Sequence, residues 1–268
     1  MQYKQQLFPQ GIKLFYAWFE AMHTRVDIAI STPVDTNGLV EFVNKLQAEI
    51  NKYEQIGNRF DPKSEISYVN ANAFENEVTL SSELFDILAA CQTYTYNTMG
   101  YFDISVYSTI GFKNDDKAYI LNAEKQTVRF THGGVLLDLS GFLKGYVLGR
   151  LIETADKEGI DNLILSLGNS SVFAKGNHPY GVGWKIQQPE TDSACVLLNE
   201  CLTTSGNSDS TKWPIMNPLD GGVLKNKKAV SVITKDAAQG EVLSKVAYLA
   251  TEIERKRIFE KFEAKIII

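Results

Sequence analysis

The chain has 268 residues, of which 44% are hydrophobic and 22% charged, and its formal net charge at pH 7 is −5. This length and apolar content suffice for a large buried core, whereas the mildly acidic balance argues against nucleic-acid binding and the three cysteines lack the spacing of a disulfide framework or metal site. Because the sequence has neither a run of about eighteen apolar residues nor the pattern of a signal peptide, we expect a cytoplasmic protein without a membrane segment.

Hydrophobic periodicity predicts strands and helices along the whole chain. Residues 16–30 alternate as a pair of strands, and apolar residues at helical spacing over 39–53 and 84–94 predict two amphipathic helices, the second capped by Ser81 or Ser82. The remaining predicted elements are a helix after residue 144, a helix over 242–249, and strands at 128–131, 135–139, 163–167, 172–175, 183–187 and 229–234. Without internal repeats or long linkers, residues 1–268 are predicted to form one α+β domain with a mainly antiparallel sheet.

The most informative segment is Asp138-Leu139-Ser140-Gly141-Phe142-Leu143-Lys144-Gly145. A strand is predicted to end at Asp138, and Lys144 opens a helix after a turn of small residues. A helix N-terminus presents unpaired N–H groups and the positive end of the dipole, so a lysine there suits the turn to phosphate or diphosphate. The carboxylate of Asp138 is suited to orient a metal ion or a ligand hydroxyl. Strand–turn–helix junctions with a lysine are also common for structural reasons, so both interpretations stay open.

Further short motifs stand in order on both sides of this turn. They are Ala21-Met22-His23-Thr24-Arg25-Val26, Arg59-Phe60-Asp61-Pro62-Lys63-Ser64-Glu65-Ile66-Ser67-Tyr68-Val69-Asn70, Gly100-Tyr101-Phe102-Asp103-Ile104-Ser105-Val106, Gly168-Asn169-Ser170-Ser171 and Thr204-Ser205-Gly206. With these motifs and the turn, the chain resembles the ApbE-like flavin transferase family (FAD:protein FMN transferases) over nearly its whole length.

The resemblance implies a fold with FAD in a cleft between two sublobes. It also implies a reaction in which the FAD diphosphate is cleaved, FMN is transferred to a Thr or Ser of a target protein, and AMP is released. A magnesium ion is implied as well, held by the backbone carbonyl of Gly141 and by two side chains at the start of a late helix. The implied flavin and adenine contacts are Met22, Phe60, Tyr101, Phe102, Asp103, Asp138, Lys144 and Ile215.

Two late segments depart from the family pattern. Glu241 stands at the position of the family's aspartate metal ligand and keeps an oxygen ligand, but Lys245 stands at the position of its threonine ligand. A protonated amine cannot ligate a metal and repels it, so we expect magnesium to bind weakly or not at all. Pro214 stands at the position of the family histidine and can neither accept nor donate a proton, while Asn217 replaces an aspartate.

Two hypotheses follow for the function. The first is a working or weakened FMN transferase in which Lys245 stands in for the charge of the metal, and the second is a flavin-binding protein that has lost transfer. The individual positions also have structural interpretations, since Met22 and Phe60 suit a hydrophobic core and Asp103 suits the cap of a turn. His23 replaces a family glycine without an evident role, and the catalytic residue stays unassigned.

Overall fold

The computed structural model describes residues 1–109, 117–187, 194–206, 215–223 and 229–267. All the positions named above as flavin, adenine or metal contacts lie within these ranges, whereas Pro214 lies outside them. No helix within the described ranges is long and apolar enough to cross a membrane.

Strands and helices are mixed along the whole chain. The strands are β1 (Gln2–Leu7), β2 (Lys13–Ala21), β3 (Thr24–Thr32), β4 (Val78–Thr79), β5 (Tyr119–Asn122), β6 (Thr127–Phe130), β7 (Leu163–Leu167), β8 (Ser171–Lys175), β9 (Trp184–Gln187), β10 (Ala194–Leu197), β11 (Glu200–Ser205), β12 (Val230–Thr234) and β13 (Ala264–Ile267). The α-helices are α1 (Thr36–Gly57), α2 (Glu65–Asn72), α3 (Ser82–Asn97), α4 (Leu143–Lys157), α5 (Ala237–Leu249) and α6 (Glu252–Phe259).

Eight of these strands form one sheet in the order β1-β2-β3-β7-β8-β11-β12-β13, and every neighbouring pair in it is antiparallel. Strands β4, β6 and β5 form a small three-stranded sheet, and β9 pairs with β10. The predicted α+β fold with a mainly antiparallel sheet is therefore confirmed.

The predicted strand pair at 16–30 is the hairpin of β2 and β3. Met22 and His23 connect the two strands with φ values of 50° and 55°. Positive φ at both central residues is the turn geometry that matches the twist of antiparallel strands. Val26, Ile28 and Ile30 are completely buried, as their alternation predicts. The hairpin thus presents Met22 at one end of the large sheet.

Helix α1 runs one turn beyond the predicted end at Tyr53. It begins after Asp35, whose side chain accepts hydrogen bonds from the first turn, as an N-cap does. The helix continues to Gly57 because Ile56 extends its buried face and because Gly57 packs directly against Leu143. This contact brings the C-terminal end of α1 to the start of α4.

Two further helices that the sequence predicts are α3 and α4. Ser81 is the N-cap of α3, and its hydroxyl accepts a hydrogen bond from the backbone N of Leu84 at 3.1 Å. Helix α4 follows the lysine-bearing turn, and the apolar residues at helical spacing that predict it are Val147, Leu148, Leu151, Ile152 and Ala155. All of them are buried except Ile152, which is half-buried. Both predictions are confirmed.

The strand predicted at 135–139 is wrong, because this segment has no strand partner. The backbone of Leu137 instead exchanges two hydrogen bonds with the side-chain amide of Asn70, at 2.8 Å to Oδ1 and 2.9 Å to Nδ2. The backbone N of Leu136 donates to Ser108 Oγ at 2.9 Å. At Leu136 and Leu137, side chains therefore supply the hydrogen-bonding partners that a neighbouring strand would provide.

Several elements are not apparent from the sequence. These are β1, β4, β5, β10, β11, β13, α2 and α6. Strand β1 is exposed along its whole length as the edge of the large sheet, so no alternation of apolar residues marks it. Helix α2 is short and buries two of its residues, Ile66 and Val69, which is too few for a clear helical pattern.

Helix α5 packs very closely against α4 and β11 at two glycines. A methyl group on Gly145 would lie 2.3 Å from the carbonyl oxygen of Ala237, and a methyl group on Gly240 would lie 2.5 Å from Thr203 Oγ1. No Cβ fits at either distance, so glycine is required at both positions. The close packing brings Glu241 of α5 to the N-terminal turn of α4.

Candidate functional site

Asp138 lies in a buried ion pair at the turn that leads into α4. Its side chain is 4% exposed, and Oδ2 lies 2.8 Å from Nε of Arg59. Its Oδ1 accepts a hydrogen bond from the backbone N of Ser140 at 2.8 Å. The N–H of Arg59 Nε does not point at an acceptor, so the contact with Asp138 is an ion pair rather than a directed hydrogen bond. The carboxylate that the sequence marks as a ligand-orienting group is held by a cation and by its own turn.

The guanidinium of Arg59 also contacts two aromatic rings. Its central carbon lies 4.2 Å from the ring centroid of Phe60 and 5.6 Å from that of Tyr107. Burial raises the pKa of the Tyr107 phenol, and the charge of Asp138 raises it further. Phe60 is 58% exposed and is therefore not a core residue. A guanidinium plane beside an exposed ring gives a flat surface on which a planar heterocycle can stack.

The motif at 64–70 holds this ion pair in position. Ser64 caps α2, and the hydroxyl of Ser67 donates to the backbone carbonyl of Arg59 at 3.1 Å. At the other end of the helix, the amide of Asn70 clamps the backbone of Leu137, which directly precedes Asp138 in the chain. The polar residues of the motif thus fix the backbone on both sides of the Arg59–Asp138 pair.

Met22 and Phe60 are connected through the C-terminal end of α1. The backbone N of Met22 donates to Glu54 Oε2 at 2.9 Å, and Asn58 Nδ2 lies 3.3 Å from His23 Nε2. Asn58 Oδ1 accepts a hydrogen bond from the backbone N of Phe60 at 3.0 Å. Asn58 therefore links the hairpin turn to the exposed ring of Phe60. His23, which has no evident role from the sequence, contacts Asn58 at this turn. An adjacent open cavity of about 270 Å³ is lined by Asn51, Glu54, Gln55, Asn58 and Asp61.

Tyr101 and Ile215 lie together in a second apolar cluster, packed against α5 and α6. The hydroxyl of Tyr101 donates to Glu254 Oε2 at 2.6 Å. Burial, together with this hydrogen bond to a carboxylate, raises the pKa of Tyr101 to about 12. The ring of Tyr101 is therefore fixed by a polar contact at its tip and by apolar contacts along its face.

Phe102 and Asp103 form the link between Tyr101 and the turn. The ring of Phe102 is buried among the aromatic rings of the main core, and its backbone N donates to Thr98 Oγ1 at 3.2 Å, so this residue holds the segment in place. Asp103 Oδ1 caps a local turn. The next residue, Ile104, accepts a hydrogen bond from the backbone N of Asp138 at 2.8 Å. This hydrogen bond places the 101–104 segment beside the 138–145 turn.

Two ammonium groups and one carboxylate meet beside the first turn of α4. Lys144 Nζ donates to Ser170 Oγ at 2.5 Å. The neighbouring hydroxyl of Ser171 donates to Glu241 Oε1, and Lys245 Nζ donates to Oε2 and to the backbone oxygen of Glu241 at 3.1 and 3.0 Å. The turn between β7 and β8 therefore connects the predicted anion-binding lysine with the predicted metal ligand.

The residues at the implied magnesium position do not fit the ion. A methyl group on Gly141 would lie 2.8 Å from Cε and 3.6 Å from Nζ of Lys245, so the lysine side chain covers the backbone at that glycine. Hydrogen-bond donors engage both carboxylate oxygens of Glu241. A divalent ion ~4 Å from the ammonium would be repelled by roughly 8 kcal/mol at an effective dielectric constant near 20. Within the described residues, no three His, Cys, Asp or Glu side chains converge to hold a metal.

The structure distributes the sequence-predicted positions over three adjoining groups. Asp138, Gly141, Lys144 and Glu241 lie around the α4 turn, Met22 and Phe60 lie at the end of α1, and Tyr101 and Ile215 share the second cluster. Arg59, Ser170 and Ser171 were not singled out in the sequence, although each stands inside a quoted motif. Asn217 Oδ1 accepts from the backbone N of Leu219 at 3.1 Å, so its side chain serves a turn.

The antiparallel sheet, the lysine-bearing turn and the motif that clamps it define an α+β protein of the flavin transferase type. A model of the ApbE family matches residues 22–268, and the chain belongs to this family.

Relatives and solved structures agree with the assignment. The chain is 26% identical to the FAD:protein FMN transferase of Chlamydia trachomatis serovar D over 71% of this chain and 70% of that protein, and 25% identical to the one from Chlamydia muridarum over the same shares. The fold is similar to that of the flavin transferase ApbE from Vibrio cholerae, with a TM-score of 0.80 and 16% identity over 99% of this chain and 93% of that one. The apo form of the Pseudomonas stutzeri flavinyl transferase ApbE gives a TM-score of 0.81 and 15% identity over 98% and 94% of the two chains.

Proposed function

We propose that this protein binds FAD and transfers its FMN moiety to a Thr or Ser hydroxyl of a target protein, with release of AMP. Membership of the ApbE family and the names of the Chlamydia relatives support this activity. The observation that carries the proposal is the turn at 138–144. It combines a buried, cation-paired Asp138 with the ammonium of Lys144 at the start of a helix.

FAD is proposed to lie along the surface bordered by Met22, Phe60, Tyr101, Asp103, Asp138 and Lys144. The exposed ring of Phe60, backed by the guanidinium of Arg59, suits stacking of a planar ring of the dinucleotide. The N-terminal turn of α4 and Lys144 suit the diphosphate, because both present positive charge and hydrogen-bond donors.

In the proposed reaction, the acceptor hydroxyl oxygen attacks the phosphorus of the FMN half of the diphosphate. A phosphorus–oxygen bond forms to the acceptor while the bond to the bridging oxygen breaks, and that oxygen leaves with AMP. The hydroxyl proton passes to a base or to water. Such a phosphoryl transfer depends mainly on positioning and on neutralisation of the phosphate charge. The ammonium of Lys144 and the backbone donors of the turn contribute to both the positioning and the charge neutralisation.

We propose that transfer is slow. A positioned general base contributes about 10²- to 10⁴-fold to such a step, and a proline, Pro214, stands at the position of the family histidine. The amide of Asn217 is occupied within its own turn and is not basic. These departures support a second candidate function, that of a protein that binds flavin and does not transfer it.

Titration of FAD into the protein, followed by flavin fluorescence, tests the binding step. We expect a saturable signal that Lys144→Ala weakens and that Lys157→Ala, at the exposed C-terminal end of the same helix, leaves unchanged. AMP release and FMN attachment in the presence of a Thr-bearing acceptor peptide test transfer. Saturable binding with slow AMP release supports the first candidate, and binding without any release supports the second. If no FAD binds, both candidates fail.

A further inference from the structure

We infer that the ammonium of Lys245 is the resident cation for the FAD diphosphate, so that this protein binds the dinucleotide without a divalent metal. The inference rests on the proposed function, because it concerns the same site. The side chain of Lys245 occupies the region beside Gly141 where the family resemblance places a magnesium ion.

The position of Lys245 is determined by a buried partner. Glu241 lies one helical turn earlier on α5 and is 4% exposed, and its two carboxylate oxygens are engaged by Ser171 and Lys245. A buried carboxylate needs a cation, and here the cation comes from the same helix. The hydroxyl of Ser244 also donates to the backbone oxygen of Glu241 at 3.1 Å and contacts Ser205 Oγ at 2.8 Å, which anchors this turn of α5 to β11.

The lysine side chain points from Glu241 toward the first turn of α4. Its Cε and Nζ lie against the Gly141 backbone, and glycine at 141 leaves the space that they fill. An ammonium carries three N–H donors, and the acceptors found for it among the described residues, a carboxylate oxygen and a carbonyl oxygen, both belong to Glu241. A third N–H can therefore be offered to an anionic oxygen at the turn.

Lys144 supplies a second ammonium beside the same turn. Its Nζ is held by Ser170, the residue adjacent to the Ser171 that holds Glu241. Two lysines, one held by the hydroxyl of Ser170 and the other by the buried carboxylate of Glu241, provide positive charge beside the helix N-terminus. A diphosphate carries its negative charge over two phosphorus centres, and this arrangement matches it without a metal ion.

The test measures FAD affinity by flavin fluorescence with magnesium and with excess EDTA, and magnesium binding alone by calorimetry. We expect FAD affinities that agree within about twofold in the two conditions, and no heat from magnesium alone. The Lys245→Met, Glu241→Gln double variant removes the cation without leaving a buried unpaired carboxylate, and its FAD affinity should fall about ten- to a hundredfold in both conditions. Lys235→Met, which removes an exposed lysine, is the matched control and should bind FAD as the parent does.

A second variant reverses the substitution and distinguishes the ammonium from a purely structural lysine. With Glu241→Asp and Lys245→Thr, FAD binding should become dependent on magnesium, and magnesium alone should produce heat. Circular dichroism confirms that each variant is folded. If the parent binds FAD only with magnesium, the inference is wrong while the proposed function stands. If the parent binds no FAD in either condition, the proposed function itself fails.

Discussion

Arg59 and Asp138, distant in the chain, form an ion pair with 2.8 Å between Nε and Oδ2, and their side chains are 15% and 4% exposed. The pair connects the segment before α2 with the turn before α4. The guanidinium of Arg59 also lies over the exposed ring of Phe60, 4.2 Å from its centroid. A single buried contact thus joins the surface proposed for a planar ring of FAD to the turn proposed for its diphosphate.

Arg59→Met should destabilise the protein by about 3–5 kcal/mol, because it leaves the carboxylate of Asp138 buried and unpaired. Adding Asp138→Asn should recover most of that loss, since a neutral amide costs less to bury without a cation. Urea unfolding at neutral pH measures both effects. Arg25→Met is the matched control, because Arg25 is 51% exposed in its pair with Asp27 and solvent screens that pair, so it should cost much less stability than Arg59→Met. An equal loss for Arg25 and Arg59 would contradict the argument.

Substitution of two glycines of α4 by alanine should change the stability of the protein in opposite directions. Gly145→Ala should destabilise the protein by about 1–3 kcal/mol or more, because its methyl group would meet the backbone carbonyl of Ala237. Gly149 has open space around it, so Gly149→Ala should stabilise the protein by about 0.5–1 kcal/mol through helix propensity alone. Thermal and urea unfolding show whether each variant is more or less stable than the parent. Similar effects at both positions would disprove the close contact of α4 and α5.

The contribution of Tyr101 to the free energy of unfolding should decrease at alkaline pH. Because burial and the hydrogen bond to Glu254 raise the pKa of Tyr101 to about 12, the folded state favours the neutral phenol. The contribution is fully present below the unfolded pKa of about 10 and is lost as the pH rises toward about 12. Tyr101→Phe should therefore lower the free energy of unfolding by about 1 kcal/mol near pH 8, and the difference from the parent should shrink with rising pH.

Urea unfolding at a series of pH values measures this difference. Tyr96→Phe serves as the control for the substitution, because its ring is 83% exposed. A difference between Tyr101→Phe and the parent that stays constant from about pH 8 to about pH 11 would show that the phenol is not favoured in its neutral form.

Pro214→His should raise the rate of FMN transfer, because an imidazole can take the proton of the acceptor hydroxyl. The expected gain is about 10²-fold and at most about 10⁴-fold. Single-turnover AMP release with a Thr-bearing peptide measures it at saturating FAD. Pro33→His is the control, because it adds an imidazole at an exposed proline elsewhere in the chain, and it should leave the rate unchanged. Transfer by the parent at a rate equal to that of Pro214→His would show that the proline position does not limit the reaction.

Features determined within a few residues of chain were predictable from the sequence. The strand pair over 16–30, the cap at Ser81 and the lysine-bearing start of α4 each follow from a pattern within one short contiguous segment. The departures at Lys245 and Pro214 were also visible, because the motifs around them are contiguous. The α+β class followed from periodicity summed over many such local segments.

Only the tertiary structure decided how these segments meet. Residues 135–139 have the composition of a strand, but the amide of Asn70 takes the hydrogen bonds of Leu137, so no strand forms. The partner of Asp138 is Arg59, and the side chain of Lys245 lies against Gly141, although nothing near either residue in the chain specifies these contacts. The local sequence shows which polar and charged side chains need a hydrogen-bonding or ionic partner. Which partner they find depends on the packing of distant elements, here on glycines that let α5 approach α4 closely enough for one lysine to reach the turn.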